Sequence, residues 1–82
     1  MTASAQIAIY PLRQERLTPA VEAVQSALAN HGLRTVPGSM STYVAGEAET
    51  IFAALTEAFA RASAMGHVVM TVTLSNACPL PD

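Results

Sequence analysis

The sequence predicts a single α+β domain in which two helices cover one face of a four-stranded antiparallel sheet. Three observations support this prediction. Two segments place apolar residues at helical spacing, four segments have the alternation or the β-branched composition of strands, and a chain of 82 residues has room for only one core. We therefore expect residues 1–82 to form one domain.

The first strand and the first helix have clear boundaries in the sequence. A strand is predicted at Gln6–Tyr10, where apolar residues alternate with less apolar ones until Pro11 ends the run. A helix is predicted from Thr18 to His31, because Thr18 suits an N-cap and Pro19 suits the first helical position. The apolar stripe of this helix contains Leu17, Val21, Val24 and Leu28.

The middle of the chain predicts two short strands and a second helix. The strands are expected at Leu33–Val36 and Ser41–Ala45, with Gly46 closing the second one. The second helix is expected at Glu49–Met65. Its apolar face should contain Ile51, Phe52, Leu55, Phe59, Ala62 and Met65.

The last strand is predicted at His67–Ser75, which is rich in β-branched residues. The resulting order βαββαβ is that of the ferredoxin-like sandwich. Two helices can cover only one face of its sheet. The alternation places these residues toward the helices: Ile7, Ile9, Val44, Met70, Val72 and Leu74.

The opposite sheet face is called the open face here. It is expected to carry Gln6, Ala8, Tyr10, Ser41, Tyr43, Ala45, Val69, Thr71, Thr73 and Ser75. This mixture is too apolar for a solvated surface and too polar for a core, so the face should meet a partner subunit, a ligand or both. Because 16 of the apolar residues are alanines, the core is small, which favours a homodimer or homotetramer.

Composition excludes several functions. Four arginines, no lysine and six acidic residues give a net charge of −2, which argues against nucleic acid and polyphosphate ligands. The chain lacks a long apolar span and a basic N-terminal stretch, so we expect a soluble cytoplasmic protein. The single cysteine, Cys78, is assigned no chemistry, and no metal-ligand or catalytic motif occurs, so neither a cofactor nor an enzymatic activity is expected.

Three segments carry a resemblance to a known family. They are Gln6–Leu12, Met40–Glu47 and Val69–Pro79, and they are spread along nearly the whole chain. In these segments the sequence is similar to the thiamine-binding proteins that include the YkoF-like hydroxymethylpyrimidine/thiamine binders and related single-domain proteins. The resemblance implies a ferredoxin-like domain that binds thiamine or its pyrimidine moiety without catalysis. YkoF-like chains carry two such domains in tandem, so here self-association would have to supply the pair.

Thiamine offers an aminopyrimidine, which needs hydroxyl or amide partners, and a cationic thiazolium ring, which suits an aromatic face or a carboxylate. The candidate ligand-binding residues are Tyr10, Ser41, Thr42, Tyr43, Glu47, Thr71 and Asn76.

Each candidate also has a structural interpretation. The tyrosines could pack across a dimer interface, Glu47 could stabilise a helix N-terminus, and Asn76 could be a turn residue. Two other functions therefore stay open. One is a regulatory or structural oligomerisation module with no small-molecule ligand, and the other is a small enzyme that acts on a pyrimidine.

Overall fold

The computed structural model describes residues 1–13, 16–38 and 41–77. Four strands and two helices alternate in the predicted order, and the strands form one antiparallel sheet with the spatial order β2-β3-β1-β4. The predicted fold class is confirmed. Cys78 lies outside the described residues. The elements are β1 (Thr2–Pro11), α1 (Thr18–Asn30), β2 (Arg34–Pro37), β3 (Thr42–Glu47), α2 (Ala48–Ser63) and β4 (Val68–Ser75).

Two strands are longer than the sequence predicts. β1 begins at Thr2 because Ala3 and Ala5 extend the alternation of buried residues toward the N-terminus. β3 runs through Gly46 to Glu47. Gly46 does not close the strand: a Cβ at this position would lie 2.6 Å from Cδ2 of Leu33, so the missing side chain makes room for Leu33 in the core.

The two helices differ from the predictions in detail. In α1, Leu17 occupies the N-cap and Thr18 is already helical, so the predicted capping role of Thr18 is wrong. In α2, the buried stripe contains Ile51, Ala54, Leu55, Ala58 and Ala62. The prediction that Phe52, Phe59 and Met65 belong to this stripe is wrong, since all three are exposed. The stripe is rotated toward the alanines, whose small side chains allow α2 to pack closely against α1.

The strand register confirms which residues share each sheet face. Ile7 pairs with Val72 and Ile9 pairs with Met70, so these four side chains lie on the helix side. Val44 is fully buried there, whereas Val72 and Leu74 keep 38% and 40% of their surface exposed. The difference arises because β4 is an edge strand. No helix among the described residues is long and apolar enough to span a membrane.

Candidate functional site

The sheet becomes narrower toward the end of β1, because β3 stops pairing with β1 before β4 does. Paired positions run from Thr2 opposite Glu47 to Ile7 opposite Thr42. On its other side, β1 remains paired with β4 as far as Pro11 opposite Val68. The last residues of β1 are therefore flanked by β4 on one side and by Gly38, Ser41 and the start of β3 on the other. Two cavities lie at this place, on opposite faces of the sheet.

The first is the helix-side cavity, of about 100 Å³. Its walls are mainly apolar side chains of β1 and α1, with Gln25, Ser41 and Thr42 as the amide and hydroxyl groups. Thr42 is 7% exposed and is the only buried polar residue in the described part of the chain. The lining residues are Ile7, Ala8, Ile9, Tyr10, Leu17, Val21, Val24, Gln25, Gly38, Ser41 and Thr42. A mostly apolar cavity with a few polar groups is typical of small-molecule sites.

The second is the open-face cavity, of about 210 Å³. Its shape follows from the register, which places Gln6 opposite Thr73 and Ala8 opposite Thr71. The Gln6 side-chain Nε2 donates a hydrogen bond of 3.0 Å to Oγ of Ser41 and so links the two sides of the cavity. The lining residues are Gln6, Ala8, Tyr10, Ser41, Thr71 and Thr73.

Three residues join the two cavities. Ala8, Tyr10 and Ser41 line both, so a ligand could enter the helix-side cavity and extend past Tyr10 onto the open face. Four predicted ligand residues thus come together here: Tyr10, Ser41, Thr42 and Thr71. Thr42 lies on the helix side of the sheet and Thr71 on the open side.

Tyr43 lies near these cavities but lines neither. It occupies the open face opposite Gln6 and Val36, half-buried. A Cβ at Gly38 would be 3.8 Å from Cε2 of the Tyr43 ring, so the ring lies close to Gly38. Tyr43 therefore borders the site through Gly38 without lining either cavity.

Glu47 and Asn76 lie at the opposite end of the sheet. The Glu47 carboxylate accepts hydrogen bonds from the N-terminal ammonium at 2.8 Å and from Oγ1 of Thr2 at 3.4 Å. Both contacts and the ammonium charge lower the pKa of Glu47, with the ammonium hydrogen bond as the largest cause. Asn76 approaches the sulfur of Met1. Eight residues of β1 separate Thr2 from Tyr10, about 26 Å, so these two residues cannot share a small ligand with Tyr10.

A backbone contact with Gly38 positions Ser41. The Gly38 amide donates a hydrogen bond of 2.7 Å to the backbone oxygen of Ser41. A Cβ at Gly38 would come within 2.9 Å of this same oxygen, so a larger residue would push the two backbone segments apart. Glycine at position 38 therefore fixes the place where Ser41 meets both cavities.

Gln25 is a site residue that the sequence analysis missed. It lies four residues after Val21 on α1, so it shares the face that turns toward the end of β1. The detectable signal was a neutral amide directly beside the apolar stripe, at a helical spacing from Leu17 and Val21. An amide at the border of a stripe is ordinary in helices, so the signal is weak without the fold.

The lining residues determine what the site can bind. None of the described side chains that line the two cavities carries a charge. In residues 1–13, 16–38 and 41–77, no three His, Cys, Asp or Glu side chains come together in a group that could hold a metal ion. The site therefore offers amide, hydroxyl and phenol groups on apolar walls, which suits a small heteroaromatic ligand better than an anion.

Comparisons with solved structures show that the fold is shared with several bacterial proteins. A Streptococcus pneumoniae protein superposes with a TM-score of 0.83 at 23% identity, over 92% of this chain and 86% of that one. A Thermotoga maritima protein, proposed to act in thiamine biosynthesis or salvage, gives 0.82 at 18% identity, over 92% and 83%. A Bacillus cereus domain of unknown function gives 0.79 at 14% identity, over 90% and 74%.

The sequence comparisons identify the family. No curated protein matches the chain closely enough to count as a relative. The model of the YkoF-related family, however, matches residues 2–80, which is nearly the whole sequence and includes every element described above. The chain therefore belongs to the YkoF-related family.

Proposed function

We propose that this protein binds thiamine or its hydroxymethylpyrimidine moiety without altering it, and that it serves as a cytoplasmic carrier or as an accessory to uptake or salvage. The observation that supports this most is the helix-side cavity, which combines apolar walls with the Gln25 amide and the Thr42 hydroxyl. Membership of the YkoF-related family and the fold shared with a protein proposed to act in thiamine metabolism point to the same ligand class.

The pyrimidine ring matches the polar groups of this cavity. An aminopyrimidine carries an amino donor beside a ring-nitrogen acceptor. A glutamine amide can pair with both atoms at once, as it does with the amino group and ring nitrogen of adenine. In this proposal Gln25 forms the bidentate pair, and the hydroxyls of Thr42 and Ser41 partner the remaining polar atoms of the ligand. The aliphatic side chains of α1 and β1 cover the faces of the ring.

The size of the cavity decides which part of thiamine is enclosed. Pockets that hold drug-sized ligands are typically about 300 Å³ or larger. The helix-side cavity of about 100 Å³ is smaller, so it can enclose one ring but not the whole vitamin. We place the thiazolium ring at the exit, against the Tyr10 side chain, where an aromatic face attracts the fixed positive charge. The exit leads to the open-face cavity, which a partner subunit could close.

The uncharged lining also selects among thiamine derivatives. A diphosphate needs cationic side chains or a magnesium ion. Among the described residues, neither cavity is lined by an arginine that could pair with the diphosphate or by an acidic residue that could hold magnesium. We therefore propose that the unphosphorylated vitamin and the free pyrimidine bind, and that thiamine diphosphate does not.

Titration calorimetry with hydroxymethylpyrimidine, thiamine and thiamine diphosphate tests this proposal. We expect saturable binding of the first two and none of the third, with the ligand recovered unchanged after incubation. Gln25→Leu should abolish binding, whereas Ser26→Ala, on an exposed position of the same helix, should leave it intact. Absence of heat with all three compounds would contradict the proposal, and a chemically altered ligand would instead indicate an enzyme.

The alternative function is a structural or regulatory oligomerisation module without a small ligand. It is favoured by the apolar side chains that the open face exposes, among them Tyr10 and Val69. In that case Tyr10→Ala should reduce the mass measured by sedimentation, and no thiamine compound should change either the mass or the melting temperature. A melting temperature that rises with the concentration of thiamine or hydroxymethylpyrimidine would instead support the carrier function.

A further inference from the structure

A hydrogen bond between two side chains reaches the junction of the two cavities. Nε2 of Gln6 donates to Oγ of Ser41 over 3.0 Å. Ser41 lines both cavities, whereas Gln6 lines only the open-face cavity. Gln6 therefore lies outside the helix-side cavity, yet it contacts a hydroxyl that borders it.

The strand register explains why these two residues meet. Gln6 is paired with Tyr43, and Ile7 is paired with Thr42. Ser41 comes one residue before Thr42, so it lies diagonally across from Gln6. Diagonal neighbours on one sheet face are about 7–8 Å apart, a distance that only long side chains span. Glutamine at position 6 is long enough to place its amide against the Ser41 hydroxyl.

The orientation of the Gln6 amide determines the hydrogen-bonding role of Ser41. An amide NH2 group only donates, so Oγ of Ser41 is the acceptor in this contact. A hydroxyl also has one proton of its own, which it can then donate to another acceptor. Within residues 1–13, 16–38 and 41–77, the Ser41 side chain makes no second hydrogen bond that would take this proton.

The backbone of Ser41 is held by a separate contact. The Gly38 amide donates a hydrogen bond of 2.7 Å to the backbone oxygen of Ser41. The backbone and the hydroxyl oxygen of Ser41 are thus fixed from two sides, by Gly38 and by Gln6. The freedom that is left is rotation of the hydroxyl proton, and the Gln6 NH2 group turns this proton away from itself.

We propose that Gln6 is a positioning residue that makes Ser41 a hydrogen-bond donor to a ring nitrogen of the bound pyrimidine. This inference rests on the proposed function. There, Gln25 pairs with the amino group and with the ring nitrogen beside it, so the second ring nitrogen needs a donor from another wall of the cavity. Ser41 is that donor, and Gln6 sets its polarity without touching the ligand.

This polarity determines which rings bind tightly. A second ring nitrogen accepts the Ser41 proton, whereas a CH group at the same place leaves the proton without an acceptor against apolar walls. A site that is built to pair with a polar ligand atom discriminates against the analogue that lacks this atom. The site therefore selects aminopyrimidines over aminopyridines of the same shape.

Calorimetry with two ligands tests the proposal. One is hydroxymethylpyrimidine, and the other is its pyridine analogue, in which CH replaces the ring nitrogen remote from the amino group. We expect the wild type to prefer the pyrimidine by about fivefold or more. Gln6→Glu has the same size, but its carboxylate accepts the Ser41 proton, so the preference should fall below about twofold. Gln6→Lys donates as glutamine does and should keep the preference.

A double-mutant cycle with Ser41→Ala separates positioning from a direct effect of the new charge. Ser41→Ala removes the hydroxyl and should itself abolish the preference. In the Ser41→Ala background, Gln6→Glu should change the Kd for hydroxymethylpyrimidine by less than about twofold, because the group through which residue 6 acts is missing. Position 6 is exposed, so the variants should fold, which urea unfolding checks.

Three results would overturn the inference while leaving the proposed function in place, since the wild type would still bind the pyrimidine. One is a wild type with equal affinity for both ligands. Another is a preference that survives Gln6→Glu or is lost in Gln6→Lys. The third is a Gln6→Glu effect that persists in full in the Ser41→Ala background. A wild type that binds neither ligand would contradict the proposed function itself, and this inference with it.

Discussion

Replacing Thr42 by valine removes one hydroxyl from the helix-side cavity and leaves the shape of the side chain nearly unchanged. Because Thr42 is only 7% exposed, water cannot easily take the place of the hydroxyl. A polar ligand atom that loses its partner in such a place loses about 1–3 kcal/mol. We therefore expect Thr42→Val to raise the Kd for hydroxymethylpyrimidine by about 5- to 140-fold.

Thr71→Val is the matched control. It makes the same chemical change on the open face, where Thr71 is exposed and water can replace the hydroxyl. Its effect on the Kd should stay within about twofold. Calorimetry on both variants, after urea unfolding has shown that they are folded, gives the comparison. If Thr71→Val weakens binding as much as Thr42→Val, or more, the helix-side cavity is not where the pyrimidine ring binds.

Three further predictions concern the ligand cation, the core and the helix contact. Tyr10→Leu should weaken thiamine by about two- to fivefold through loss of a cation–π contact of ~0.5–1 kcal/mol, yet leave the uncharged pyrimidine unaffected in the same calorimetric assay. Leu28→Ala, at a fully buried position, should destabilise the protein by about 2–5 kcal/mol in urea unfolding, whereas Leu12→Ala, at an exposed position, should have little effect. Partial burial raises the pKa of Glu57, but hydrogen bonds from Asn30 and His31 and the Arg61 charge outweigh this effect and hold the pKa below its ordinary 4.5. Glu57→Gln should therefore reduce the melting temperature at pH 7, and the melting temperatures of the variant and the wild type should converge as the pH falls below 4.5. A difference that persists in acid would exclude the carboxylate as its cause.

The sequence was sufficient to predict the fold because the apolar periodicity and the proline and glycine residues at element ends indicated the same elements along the chain. Ile7 and Ile9 alternate with Ala8, and Pro19 and Gly32 bracket the first helix, so each element was readable on its own. The order of the elements then left few possible topologies. The predicted ends of the elements were less accurate where alanines formed the buried positions of the alternation, as at Ala3 and Ala5 of β1.

The exposed phenylalanines of α2 show where the pattern failed. A prediction that weights large apolar side chains assigns Phe52 and Phe59 to the buried stripe of α2. In the structure, α2 is rotated so that its alanines contact α1 instead. Helix–helix contact distance is a property of two elements, so it could not be read from the sequence of one.

The candidate site was only partly predictable for a similar reason. Tyr10, Ser41 and Thr71 could be grouped because strand alternation assigns them to one face. The position along the strands is set by register, and register places Glu47 beside Thr2, far from Tyr10. Gln25 comes from a different element altogether and enters the site only when α1 is laid across the end of β1.

The central claim is that the pyrimidine ring occupies the helix-side cavity. An NMR titration of isotope-labelled protein with hydroxymethylpyrimidine tests it most directly. We expect the largest shift changes at the backbone amides of Val24 and Thr42 and at the side-chain amide of Gln25, all at the helix side of the sheet. Shift changes confined to Thr71 and Thr73 on the open face, or to the end of the sheet that holds Glu47, would contradict the claim.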